Sequence, residues 1–134
     1  MSNIRRTLVS DKVKCSCNGS NLDKLLQPKI LILLAKHNLH GYLIIQKLEN
    51  KNLFHGEKAD STGIYRTLKT LEEKSLVESE WDVGGAGTAK KIYKITIEGK
   101  KCLANWIHTL EDYKKSIEAI IIDGKFALDE WRTL

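Results

Sequence analysis

One stretch, residues 60–76 reading DSTGIYRTLKTLEEKSL, together with the change of period after it, limits what this chain can fold into. Ile64, Leu68, Leu71 and, through the turn, Leu76 recur at helical spacing, which predicts an amphipathic helix. Thr62, Arg66, Lys69 and Glu73 lie on the opposite side, with Tyr65 near the boundary. Asp60 or Ser61 can cap the first turn, because a short side-chain oxygen satisfies an amide that has no helical acceptor. After Leu76 the period falls to two. Val77, Ser79, Trp81 and Val83 alternate with Glu78, Glu80 and Asp82, which predicts a strand. Gly84-Gly85-Ala86-Gly87 makes a hairpin tip, and Lys91 to Ile97 a returning strand. Each piece alone also fits a plain surface helix or a solvated hairpin. Together they suit a helix laid in a DNA major groove, with Ser61, Thr62, Tyr65, Arg66 and Lys69 at the groove and the wing cations Lys90, Lys91 and Lys94 on flanking phosphates.

Upstream, Pro28 to His37 is apolar all round and reads as a central helix, with Pro28 at its first position, where a missing amide costs nothing. Asn38-Leu39-His40-Gly41 punctuates it. Tyr42 to Asn50 forms a second helix with Ile44, Ile45 and Leu48 inward. Leu53 and Phe54 close the far side of the core, and Gly56 to Ala59 links to the helix above. Two helices joined by a short polar segment and followed by a hairpin make a winged helix-turn-helix. The expected fold is therefore mostly α with a small β-hairpin wing, an α+β arrangement. Its parts are an N-terminal arm or short helix (1–24, with Ile4, Leu8 and Val9 on one face), a winged helix-turn-helix (25–97), and a C-terminal dimerisation helix and tail (98–134).

The last long helix is expected to start at Thr96 or Glu98 and to run to about Ile122. Leu103, Trp106, Leu110, Tyr113, Ile117 and Ile120 alternate at spacings of three and four, a heptad seam widened by Ile107 and Ile121. Three other helices already supply a core, so this seam is expected to meet a second copy and form a homodimer. Asp123-Gly124 is expected to end the helix, leaving Phe126, Leu128, Trp131 and Leu134 as an apolar tail that folds back.

Charge agrees with a polyanion partner: residues 1–101 hold 18 Lys and Arg against 11 Asp and Glu, whereas residues 102–134 hold 4 against 6. No apolar run approaches a membrane span, and the N-terminus has no signal-peptide core, so a cytoplasmic protein is expected. Three cysteines, an odd number, argue against a secreted disulfide framework. Cys15-x-Cys17 lacks the usual zinc spacing and reads as two exposed cysteines, or else as a thiol or metal sensor whose reactivity Lys12 and Lys14 would raise. His40 has no nucleophile or carboxylate partner in sequence and reads as a capping or packing residue. Gly84 to Gly87 lacks the G-K-[ST] ending of a phosphate loop. These residues carry no enzyme signature and imply no cofactor.

The stretches ILILLAKHNLHGYLIIQKLEN, STGIYRTLKTLEEKSLVESEWD and AGTAKKIYKITIEGKKCL resemble the PadR family of winged-helix transcriptional regulators in its short C-terminal form. The resemblance rests on the order and spacing of His40-Gly41-Tyr42, of Gly63-x-Tyr65-x-x-Leu68-x-x-Leu71-Glu72, and of Lys91-x-Tyr93-x-x-Thr96-x-x-Gly99. It covers about Leu26 to Ile121 and leaves the N-terminal extension unexplained. It implies a homodimeric repressor of a pseudo-palindromic double-stranded DNA operator, with Tyr65, Thr62, Arg66 and Lys69 facing the DNA. It also implies release by a small, often aromatic, effector near the dimer interface, where Trp106, Tyr113 and Trp131 are the candidate lining. The alternative is a protein-interaction module on the same fold, without specific DNA binding.

Overall fold

The structure, a computed structural model, describes Cys17 and residues 25–49, 59–84, 87 and 89–133. Helix α1 (Leu26–Lys36) starts two residues earlier than its proline suggests. Pro28 takes the third position, still within the first turn, where no amide has a helical acceptor. Ile30, Leu31 and Leu34 are buried while Ile32 stays exposed, so the run that reads as apolar all round does have an outer side. A two-residue strand β1 (Leu39–His40), too short to show a period in sequence, leads directly into helix α2 (Gly41–Leu48). Leu53 and Phe54 lie outside the described residues. Ala59, at the end of the link, is buried and forms an isolated parallel bridge with Glu49.

Helix α3 (Ser61–Glu73) is capped by Asp60, whose carboxylate accepts the Gly63 N–H at 2.7 Å. At its other end Ser75 takes a left-handed φ of 62°, and the Leu76 N–H reaches back to the Leu71 carbonyl at 2.9 Å. That bond closes the last turn and swings the chain into strand β2 (Val77–Asp82). Strand β3 (Lys90–Ile95) returns antiparallel to it, with Val77 opposite Ile95, Trp81 opposite Lys91 and Asp82 opposite Lys90. β1 pairs on the other side of β3, Leu39 opposite Tyr93, so the wing is a three-stranded sheet of order β1-β3-β2 rather than a bare hairpin. β2 stops at Asp82; Val83, expected within it, is exposed beyond its end.

Helix α4 (Ile97–Thr133) begins at a tight junction. The Thr96 hydroxyl is within donating reach of the Ser75 and Leu76 carbonyls, at 2.7 and 3.0 Å, and accepts the Gly99 N–H at 2.9 Å. Thr96 therefore caps α4 and ties it to the α3–β2 turn. The core is one cluster in which Ile44, Ile64, Leu68, Leu71, Val77 and Trp106 are fully buried between α1, α3, the sheet and the start of α4.

Two expectations for the C-terminal part do not hold. α4 does not end at Asp123-Gly124 but runs unbroken through 37 residues, about 55 Å. One helical glycine costs about 1 kcal/mol, and the segment after it is rich in helix formers and holds no proline. Of the residues expected to fold back, Phe126, Leu128 and Trp131 instead extend outward and are exposed, and Leu134 lies outside the described residues. The seam also divides in two. Leu103 and Leu110 pack against the chain's own core, and Trp106 is 0 % exposed.

Candidate nucleic-acid interface

With Ile64, Leu68 and Leu71 turned into the core, helical geometry leaves Thr62, Tyr65, Arg66 and Lys69 on the exposed side of α3, and Ser61 half-buried beside them. Thr67 and Thr70 spend their hydroxyls on the carbonyls of Gly63 and Arg66 and so belong to the helix itself. Gly41, at the start of α2, lies under two rings: a Cβ there would meet Tyr93 Cε2 at 3.4 Å and Tyr65 Cε1 at 3.6 Å. The His40-Gly41-Tyr42 corner thus supports the tyrosine that α3 presents.

The wing adds cations on the same side. Lys91 Nζ lies 3.7 Å from Glu72 on α3, 5.7 Å from the centre of the Tyr93 ring and 6.0 Å from that of Trp81. Lys90 Nζ stands 4.9 Å from the centre of the Tyr42 ring. Each ring face is a weak electrostatic partner for an ammonium group. Glu72 also accepts the Ser79 hydroxyl at 2.5 Å, so a single carboxylate on α3 holds both wing strands. Burial, with Glu72 and Tyr65 nearby, raises the Tyr93 phenol above its ordinary value and keeps it neutral.

These side chains enclose a cleft of about 320 Å³ lined by Gly41, Tyr42, Tyr65, Trp81, Lys90, Lys91 and Tyr93. A second cleft of about 460 Å³ shares Tyr65, Lys91 and Tyr93 with it and adds Lys69, Glu72 and Glu73. The structure therefore brings Tyr65, Lys69, Lys90 and Lys91 together. Lys94 stands apart: it pairs with Glu78 at 3.3 Å and lines a cavity of about 300 Å³ with Asn38, Glu80 and Ile92 on the outer face of the sheet. Sequence reasoning missed Tyr42 and Trp81. The available signal for Trp81 was a strand whose alternation should place it beside buried Val77, yet it is 64 % exposed.

His40 occupies the N-cap position of α2, but its side chain makes no cap bond there. Its Nε2 instead meets Asp82 Oδ2 at 3.1 Å, and its ring stacks on Tyr42 with centroids 5.7 Å apart. This hydrogen bond first, then the Gly84 N–H, holds the Asp82 carboxyl below its usual value.

The other candidate groups are scattered. Trp106 is enclosed in the core, with an indole N–H that has no hydrogen-bond partner among the described residues. Tyr113 is half-buried and Trp131 is 73 % exposed. Trp106 and Trp131 stand 25 residues apart on one continuous helix, about 37 Å of helical rise, so a single chain forms no pocket from the three. Cys15 lies outside the described residues. Cys17 is buried rather than exposed: its carbonyl accepts the Thr109 hydroxyl and its sulfur lies 3.8 Å from Asn105 Nδ2. Among the described residues no group of three or more His, Cys, Asp or Glu is placed to hold a metal ion. No described helix is long and apolar enough to cross a membrane.

A helix pair, a wing and a basic, aromatic face between them define a winged helix-turn-helix protein. The chain belongs to the PadR-like family of transcriptional regulators, whose model matches residues 30–105. It is 36% identical over 92 residues to the transcriptional regulator YqjI of Escherichia coli; the match spans 68% of this chain but only 38% of that longer one. Among solved structures it resembles TM0937, a conserved protein described as a potential transcriptional factor, at 34% identity and a TM-score of 0.67, covering 78% of this chain and 90% of that one. It also resembles Bacillus subtilis PadR in complex with operator DNA, at 31% identity and a TM-score of 0.53, covering 63% of this chain and 47% of that one.

Proposed function

We infer that this regulator is a cytoplasmic, homodimeric repressor that binds double-stranded operator DNA, with α3 in the major groove. The observation that carries the reading is the face on which Tyr65 and Lys69 of α3 meet Lys90 and Lys91 of the wing, with Arg66 exposed on the same helix. The operator complex of the Bacillus subtilis neighbour supports it. In this reading residues 25–97 engage DNA and residues 98–134 pair two chains. Arg66, Tyr65, Thr62 and Ser61 approach base edges and backbone. Lys90 and Lys91 hold phosphates, and Lys94, already paired with Glu78, contributes less. Pairing uses the outer part of the seam, Tyr113, Ile117 and Ile120, since Trp106 is spent on its own core. Release by a small-molecule, metal or redox signal completes the proposal.

The test is a fluorescence-anisotropy titration against the DNA upstream of the protein's own gene at two salt concentrations. Specific binding should beat random DNA and weaken steeply with salt, each neutralised phosphate adding roughly −0.9 to the log-log slope. Arg66→Ala should cost about 1–3 kcal/mol if its guanidinium makes a bidentate base contact. A folded Arg66→Ala chain that binds as tightly as the parent removes α3 from the groove. Weak binding, equal on all sequences and insensitive to salt, favours the interaction-module alternative.

A further inference from the structure

Trp81 lies outside the buried core cluster. Along β2 burial fades from Val77 outward, and the indole is 64 % exposed. It is nevertheless not a solitary surface apolar group. It forms one wall of the cleft of about 320 Å³ whose other rings are Tyr42, Tyr65 and Tyr93, with Lys90 and Lys91 set among them. The lysines of the wing suit phosphates, and Lys69 beside Lys91 and the exposed Arg66 on the same helix suit polar base edges. The rings account for none of these. Among the groups that base pairs present in the major groove, the apolar one is the C5-methyl of thymine.

We propose that the cleft between α3 and the wing reads a thymine methyl of the operator, with Trp81 and Tyr65 as its specificity-determining walls. This rests on the DNA-binding reading above and adds to it a residue, Trp81, and a base. Tyr42 and the buried Tyr93 complete the lining of the cleft. Gly41 lies against the Tyr65 and Tyr93 rings, since a Cβ there would be in van der Waals contact with Tyr93 at 3.4 Å and Tyr65 at 3.6 Å. Lys90 and Lys91, each held within 6.0 Å of a ring centre, pin the flanking backbone so that the methyl is presented in register.

The experiment uses the full chain and a fluorescein-labelled duplex that it binds with sequence preference, replacing each thymidine in turn by deoxyuridine, which lacks only the methyl. The wild-type protein should lose about fourfold in affinity at one position per half-site, the worth of one buried methyl. Trp81→Ala should bind more weakly overall and be indifferent to deoxyuridine at that position; Trp81→Phe should recover part of the difference. Thermal melting of each variant checks that the exposed site leaves the fold intact. If deoxyuridine is tolerated everywhere, or its penalty survives unchanged in Trp81→Ala, the proposal is overturned while the DNA-binding reading stands. A chain that prefers no duplex at all overturns both.

Discussion

Gly99 shows what a single residue decides here. A Cβ at this position would lie 2.0 Å from the Leu76 carbonyl oxygen and 2.6 Å from Ile95 Cγ1. Both α4 and the α3–β2 turn are fixed by the Thr96 bonds, so neither backbone can step aside cheaply. Gly99→Ala should therefore destabilise the chain by about 1–3 kcal/mol, the usual cost of overfilling a packed site, measured as a lower urea midpoint. An unchanged midpoint would mean that the junction is looser than its hydrogen bonds imply. The Thr96-x-x-Gly99 spacing was visible in the sequence, but the reason for it was not. The carbonyl that forbids a side chain belongs to residue 76, and no local pattern connects the two. By contrast Asp60 and the Ile64-Leu68-Leu71 stripe act within one helix, and these were legible.

At the scale of elements, the strong periods were readable and the joins were not. α3 and the β2–β3 pair follow from runs of apolar residues at intervals of three or four and of two. β1 did not, since two residues carry no period, and its strand character comes only from pairing Leu39 with Tyr93. β1 also delivers His40 to Asp82, 42 residues away, and that contact ties the outer end of the wing to α2. The tether depends on pH through Asp82. Its carboxyl sits below the ordinary value, so its contribution is present above the unfolded-state value and is lost as pH falls through the lower, folded one. The wing should consequently loosen in acid. In a carboxyl-detected NMR titration, His40→Ala should move the Asp82 midpoint upward, towards that of an ordinary aspartate, because the largest cause of the depression is gone. A midpoint that stays put would assign the depression to the Gly84 N–H and strip His40 of its tethering role.

For the whole molecule, the length of α4 matters more than its heptad count. Sequence spacing marked one continuous seam from Leu103 to Ile120 but could not tell which turns the chain would use for itself, because a core contact and a partner contact require the same apolar residues. The structure divides them: Trp106 is enclosed, Leu103 and Leu110 lean on the core, and Ile117, Ile120, Ile121, Leu128 and Trp131 remain exposed on a helix that projects past its own domain. The proposed pairing of two chains is therefore best challenged at Ile120, 70 % exposed, rather than at Leu110, where a charge would damage the fold as well as any interface. A buried, unpaired carboxylate on each chain of a two-fold pair costs at least about 3 kcal/mol, so Ile120→Asp should weaken self-association by about a hundredfold or more. Sedimentation equilibrium would read that change. Circular dichroism on the same samples should find the α and β content of the winged part retained, since Ile120 lies outside the buried core cluster. Operator affinity should fall with it, because two half-sites about 34 Å apart reward a protein that holds both recognition helices at once. Should Ile120→Asp sediment as the parent does, the exposed stripe on distal α4 is not the surface that joins two chains, and the search would move to Ile32 on the outer side of α1.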